Sequence, residues 1–170
     1  MFAPQWIGRS RDRHTRIWAA WAALMLIGVA GSLHAQTTDA LVLRGHRQTL
    51  RLYGRRGAGT PVIVASGDGG WMHLGPHVAE ALAARGFFVV GFDAKAYLES
   101  FTSGATTLRP EDEPTDFRVL ADYAAQGTMD ARPILIGVSE GAGLSVLAAT
   151  DPQTRKAIAG VIADSWHLPR

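Results

Sequence analysis

The sequence predicts an α/β fold, a mostly parallel sheet with helices on both faces. Three observations carry that expectation. Four short runs, Pro61–Ala65, Phe87–Phe92, Pro133–Gly137 and Ile158–Ala163, are apolar nearly throughout, the mark of strands buried on both faces. Helix-like segments alternate with them, which implies parallel strands joined by crossovers. Glycines and prolines punctuate the joints. With 170 residues the chain is long enough for one domain.

Taken in order, Leu41–Arg44 and Gln48–Tyr53 read as two early strands, joined as a hairpin across Gly45-His46. Arg55–Thr60 is a turn and Pro61–Ala65 the first buried strand. Pro76–Arg85 reads as a helix, with proline near its first turn and Gly86 after it. Phe87–Phe92 is the second buried strand. Ala94–Glu113 has no clear period, is rich in Ser, Thr, Gly and acids, and reads as a long loop. Pro114–Gln126 is a helix with Phe117, Leu120, Ala121 and Ala124 on one face. Pro133–Gly137 is a third buried strand, Glu140–Ala149 a helix and Ile158–Ala163 a fourth buried strand.

Charge separates the first 35 residues from the rest. Residues 1–35 hold Arg9, Arg11, Arg13 and Arg16 against Asp12, leaving 13 basic and 14 acidic residues elsewhere. The net charge of +2 therefore belongs to the leader and gives no case for a nucleic-acid surface. An apolar run from Ile17 to Gly31 and then Ser32-Leu-His-Ala35 complete the pattern of a secretory signal peptide, with cleavage expected after Ala35. A retained anchor helix is the alternative, although the run is short of the roughly 20 residues that span a bilayer. Residues 36–170 are the folded domain. The chain is thus expected to be periplasmic or secreted, touching a membrane only through the leader or a lipid substrate. The chain holds no cysteine, which excludes disulfides, a thiolate nucleophile and cysteine–zinc sites.

The sharpest motif is Gly137-Val-Ser139-Glu-Gly141, between a strand and a helix. A serine at this spacing sits on a tight turn that lifts its hydroxyl above the sheet, and the helix N-terminus points its partial positive charge at the reacting carbonyl. The second motif is Ser66-Gly-Asp-Gly-Gly-Trp71, directly after the first buried strand. Gly69, Gly70 and Trp71 form a loop able to bring a backbone N–H toward the elbow. The expected oxyanion donors are the N–H of Glu140 and one from Gly70 or Trp71. Asp68 reads equally as a turn former or a catalytic group. The loop lacks the spacing of a phosphate-binding glycine motif. No metal cluster and no organic cofactor signature appears.

These residues carry a resemblance. Gly-Asp-Gly-Gly-Trp71, Val78-Ala-Glu-Ala-Leu-Ala-Ala-Arg-Gly86, Val89-Val-Gly-Phe-Asp93 with Tyr97, and Leu135-Ile-Gly-Val-Ser139 together resemble the VirJ/AcvB bacterial virulence family of α/β-hydrolases, over roughly residues 60–165. The resemblance implies an α/β-hydrolase fold, a periplasmic location, Ser139 as nucleophile and, from some members, an aminoacyl-phospholipid substrate such as lysyl-phosphatidylglycerol. The sequence departs from that family at Ala94-Lys-Ala-Tyr97-Leu98, where a Ser-Leu-Arg-Tyr-type run is expected, and at Glu140, where an aromatic residue is expected.

A serine nucleophile needs a histidine base and a carboxylate to orient it, and in this fold both follow the serine. The residues after Ser139 offer His167 and, of the acids, Asp164 at the end of a strand. They lie only three positions apart, whereas the base ordinarily comes from a separate loop. A complete sheet of this kind needs strands beyond residue 170, so the chain reads as an α/β-hydrolase domain truncated before its last strands. His46, His73 and His77 precede the serine and read as surface or packing residues. Trp71, Phe92, Tyr97, Leu98 and Phe101 form either an acyl-binding wall or core.

The leading expectation is an exported serine hydrolase that cleaves an ester or acyl bond of a small-molecule or lipid substrate, with no cofactor and no nucleic-acid partner. The alternative is a non-catalytic periplasmic binding or scaffold protein with the same fold.

Overall fold

The computed structural model describes residues 36–102 and 107–164. The leader, its cleavage site and His167 lie outside the described residues. A hairpin opens the fold, β1 (Thr37–Leu43) and β2 (His46–Tyr53), followed by β3 (Pro61–Ala65), α1 (Leu74–Ala83) and β4 (Phe88–Phe92). Then come α2 (Ala94–Glu99), α3 (Glu113–Ala125), β5 (Ile134–Val138), α4 (Glu140–Thr150), α5 (Pro152–Ala157) and β6 (Gly160–Asp164).

The hairpin turn is Arg44-Gly45, one residue earlier than the sequence suggested. Both turn residues have positive φ, 51° and 85°, the twist that matches a two-residue hairpin, and Leu43 pairs with His46 across it. The sheet order is β1-β2-β4-β3-β5-β6. β2 runs antiparallel to β1 and β4, and β3, β4, β5 and β6 are parallel. The sheet is therefore mixed, with its parallel part carrying the motifs.

β3 and β4 are buried along their whole length, as their unbroken apolar runs require. Alternation along β3 sends Ile63 and Ala65 into one core with Phe92, Phe117, Leu120 and Leu135. Val62 and Val64 go to the other side, with Ala79 and Ala83 of α1. Helix α1 thus covers one face, and α3 and α4 cover the other. Fully burying side chains of this size stabilises by about 1.5–3 kcal/mol each, so the sheet centre anchors the domain.

Two expectations need correction, and one short helix was not foreseen. Ala94–Glu113 is not all loop, because α2 occupies its start. The Asp93 carboxylate accepts the Ala96 N–H at 3.1 Å and caps that helix. Six residues are too few to display a helical period, so only the cap could have signalled it. Helix α5 begins in the same way, at Asp151-Pro152, with Asp151 accepting the Thr154 N–H at 2.7 Å. The run at Ile158–Ala163 is not buried on both faces. β6 pairs only with β5 among the described residues, and Ile162 is 56% exposed. An apolar run marks a strand without saying how many neighbours it has.

Candidate functional site

The parallel strands deliver their C-terminal ends to one edge of the sheet, where ligands bind in folds of this kind. Three connections start there, after β3, β4 and β5, beside the end of β6 at Asp164. Ser139 stands between β5 and α4 with φ 52° and ψ −115°, a backbone region favoured by glycine and sparsely populated by other residues. Its side chain is exposed. The flanking glycines are there for lack of room. A Cβ on Gly137 would overlap the Gly141 carbonyl oxygen and lie 2.5 Å from Ala142 Cα. A Cβ on Gly141 would overlap the Ser66 carbonyl oxygen and lie 2.6 Å from that of Ala65. Strand, helix and the neighbouring β3 are therefore pressed together around the serine. The Ser139 N–H donates to the Asp164 carbonyl at 2.8 Å, extending the β5–β6 ladder into the turn.

The glycine loop reaches this turn through Gly67. A Cβ on Gly67 would lie 3.0 Å from Ser139 Cβ and 3.7 Å from Ser139 Oγ. Inside the loop, the Gly70 N–H donates to the Gly67 carbonyl at 3.0 Å, and the Trp71 N–H donates to the Asp93 carboxylate at 3.1 Å. Neither Gly70 nor Trp71 is then available as the oxyanion donor that the sequence suggested. The N–H groups of Asp68 and Gly69 have no acceptor among the described residues. Neither does the N–H of Glu140, since the first N–H of a helix has no partner within it. Asp68 and Glu140 are both exposed. The Asp68 N–H directly follows Gly67, the residue that touches Ser139.

Asp93, which the sequence offers only as the end of a motif, holds this region together. One of its carboxylate oxygens takes the Trp71 N–H and the other the Ala96 N–H. Ser66 reinforces the joint by accepting the Ala94 N–H at 3.1 Å. Trp71 serves as the anchor of the loop. Its indole N–H donates to the Tyr53 hydroxyl at 3.3 Å, and its ring lies on Gly91, where any Cβ would collide with it. Phe92, Tyr97 and Phe101 are core, at 0, 0 and 5% exposure, and Leu98 packs against that core. The acyl-wall reading therefore fails for these residues.

A buried acidic cluster fastens α2 to α3. The Tyr97 hydroxyl donates to Asp116 at 2.7 Å, and the Arg44 guanidinium bridges Asp116 at 3.0 Å and Asp112 at 2.6 Å. Burial raises the Asp116 carboxyl, opposed by Tyr97 and Arg44. Glu113 is 1% exposed, and neither carboxyl oxygen has a partner. Burial, with Asp116 beside it, pushes its pKa up to about 8, which favours the protonated, neutral form at neutral pH.

Of the histidines, His46 packs against Phe101 with the rings tilted and their centroids 4.6 Å apart, and His77 lies 3.9 Å from Glu80 on the surface of α1. His73 precedes α1 with φ 56° and is exposed. Asp164 ends β6 in register with Val138, exposed beside the serine turn. Among the described residues no group of three or more His, Asp or Glu is placed to hold a metal ion.

Comparison with known proteins agrees with this geometry. The family model described as bacterial virulence protein (VirJ) matches residues 60–162. No curated protein matches the chain. Among solved structures, the dienelactone hydrolase of Anabaena variabilis is similar at 16% identity and a TM-score of 0.59, covering 76% of this chain and 62% of its own. An α/β hydrolase from a Penicillium species is similar at 13% identity and a TM-score of 0.59, covering 76% of this chain and 45% of its own. Brefeldin A esterase, a bacterial homologue of human hormone-sensitive lipase, is similar at 20% identity and a TM-score of 0.52, covering 88% and 48%. The fold is that of the α/β-hydrolases, and the chain spans about half the length of the solved chains it matches.

Proposed function

The chain belongs to the VirJ family of bacterial virulence proteins, and from that premise we propose that it is an exported serine hydrolase that cleaves an ester or related acyl bond. The observation that carries the reading is the backbone of Ser139. A non-glycine residue held at φ 52° between a strand and a helix, with glycines packed against backbone on both sides, stores strain where a nucleophile would stand.

In this reading Ser139 Oγ attacks the acyl carbon and gives its proton to a histidine base. Negative charge develops on the carbonyl oxygen and is met by the N–H of Glu140 and that of Asp68. The bond to the leaving alcohol breaks, and the alcohol takes the proton from the base. Water then releases the acyl group from Ser139 by the same steps. His167 and Asp164 are the histidine and the strand-end acid that follow the serine in this chain; only three positions apart, they are a poor pair for base and orienting carboxylate, since the base of this fold ordinarily comes from a separate loop. The substrate is a small-molecule or lipid ester, and the family resemblance points to an aminoacyl-phospholipid. Residues 1–35 direct export, with cleavage after Ala35.

Labelling with a fluorophosphonate probe tests the reading, because the probe reacts only with an activated serine. The secreted protein is expected to label and Ser139→Ala to remain unlabelled. A wild-type protein that takes no label would turn the assignment toward a non-catalytic binding or scaffold role.

A further inference from the structure

A hollow of about 160 Å³ opens between β2 and α2, lined by Arg47, Gln48, Thr49, Arg51, Asp93 and Ala96. We propose that it binds a phosphate group carried on a ligand, held by the guanidinium groups of Arg47 and Arg51. The proposal does not depend on Ser139 being a nucleophile.

Arg51 supplies the first charge. Its side chain is 23% exposed, so the cation is largely out of water. It lies over the Trp71 ring, 5.4 Å from the centroid, and Arg51 pairs with Gly91 in the sheet. Its Nη2 stands 3.7 Å from the Asp93 carboxylate, too far for a hydrogen bond, and its Nη1 is buried with no partner. A desolvated guanidinium with unmet donors lacks an acceptor that a ligand can supply. The Asp93 carboxylate offsets the Arg51 charge only at 3.7 Å, its oxygens being aimed at the Trp71 and Ala96 N–H groups, and the buried Nη1 keeps no acceptor.

Arg47 adds the second charge. Strand alternation places Arg47, Thr49 and Arg51 on one face of β2. Arg47 is exposed and has no ion-pair partner among the described residues. Two guanidiniums against one committed carboxylate leave the hollow electropositive. Guanidiniums present forked donors that match phosphate oxygens, and a dianion balances both cations where a carboxylate balances one. The volume corresponds to roughly five water molecules, enough for a phosphate and the first atoms that carry it. A Cβ on Gly67 would meet Ser139 and one on Gly70 would lie 3.4 Å from the Asp93 carboxylate, so the glycine loop stands between the hollow and the serine.

The experiment titrates inorganic phosphate into the full chain, with sodium chloride at equal ionic strength as the blank, and follows binding by calorimetry. Saturable binding is expected in the parent, at least ten-fold weaker in Arg47→Gln and absent in Arg51→Gln. Arg47 is exposed, so Arg47→Gln should melt with the parent and separates lost binding from lost folding. Acetate is expected to bind at least ten-fold more weakly than phosphate. Glycerol phosphate and dimethyl phosphate, run in parallel, distinguish a monoester ligand from a diester, and at least one is expected to match inorganic phosphate. The proposal is overturned if Arg47→Gln binds phosphate as the parent does, if acetate binds equally, or if neither ester binds.

Discussion

Replacing Ser139 with glycine should make the protein more stable. At φ 52° and ψ −115° the serine occupies a region that glycine enters freely and that costs other residues about 1–3 kcal/mol. Its side chain is exposed, so removing it forfeits little packing. Against this relief stands the greater freedom of glycine in the unfolded chain, about 0.5–1 kcal/mol. The net expectation is a gain of about 1 kcal/mol, or roughly 3 °C in Tm for a domain of this size. Ser139→Ala keeps the Cβ, and therefore the strain, and should melt with the parent. His73 supplies an internal control at nearly the same angles, φ 56° and ψ −114°. His73→Gly should gain a similar amount while leaving fluorophosphonate labelling intact, whereas Ser139→Gly abolishes it. Thermal and urea unfolding of the mature protein, followed by circular dichroism, measure the difference. If Ser139→Gly proves less stable than Ser139→Ala by 1 kcal/mol or more, the turn is not strained and the argument for a nucleophile position loses its support.

Other perturbations reach different parts of the structure. Gly141→Ala puts a methyl group onto the Ser66 and Ala65 carbonyls and should cost about 3 kcal/mol or more, read as a large fall in the urea midpoint. Glu113 carries a pKa of about 8 in the fold against 4.5 unfolded, so the folded state retains a proton that the unfolded chain releases in that window. Its stability contribution is complete below the unfolded value and is lost as pH rises through about 8, on the order of 3–5 kcal/mol in all. Glu113→Gln should flatten the fall in stability between pH 5 and 8, and an unchanged slope in the variant would refute the assignment. N-terminal sequencing of exported protein should begin at Gln36; a start at Met1 would mean the leader is kept as an anchor.

Much of this architecture was legible in the sequence because glycine spacing records backbone contact. Gly137 and Gly141 bracket Ser139 since no Cβ fits at either position, and that constraint survives in a linear reading. The apolar runs of β3 and β4 announced their burial for a similar reason: every position faces a core. What escaped was whatever depends on partners distant in the chain. The free donors of the glycine loop are set by Asp93, which reaches over from the end of β4 and consumes the Trp71 N–H. Nothing local to Gly69-Gly70-Trp71 reveals that, so the loss of the Trp71 donor becomes visible only when the sheet is assembled. Phe92, Tyr97 and Phe101 look like an acyl wall in sequence because aromatic residues near a site and aromatic residues in a core have the same composition.

Asp93 also explains why the loop and the Arg47–Arg51 hollow have to be considered together. The same carboxylate orients the loop, caps α2 and lies 3.7 Å from Arg51. Removing it as Asp93→Asn would keep the volume but weaken two charge-assisted acceptors and release Arg51 from its counter-charge. The two proposed sites should then respond in opposite directions. Phosphate should bind more tightly to the hollow, because a competing negative charge is gone, while fluorophosphonate labelling at Ser139 should slow as the loop loses its tether. A variant that loses both, while melting with the parent, would mean that Asp93 holds the hollow open and that its charge does not compete with the ligand.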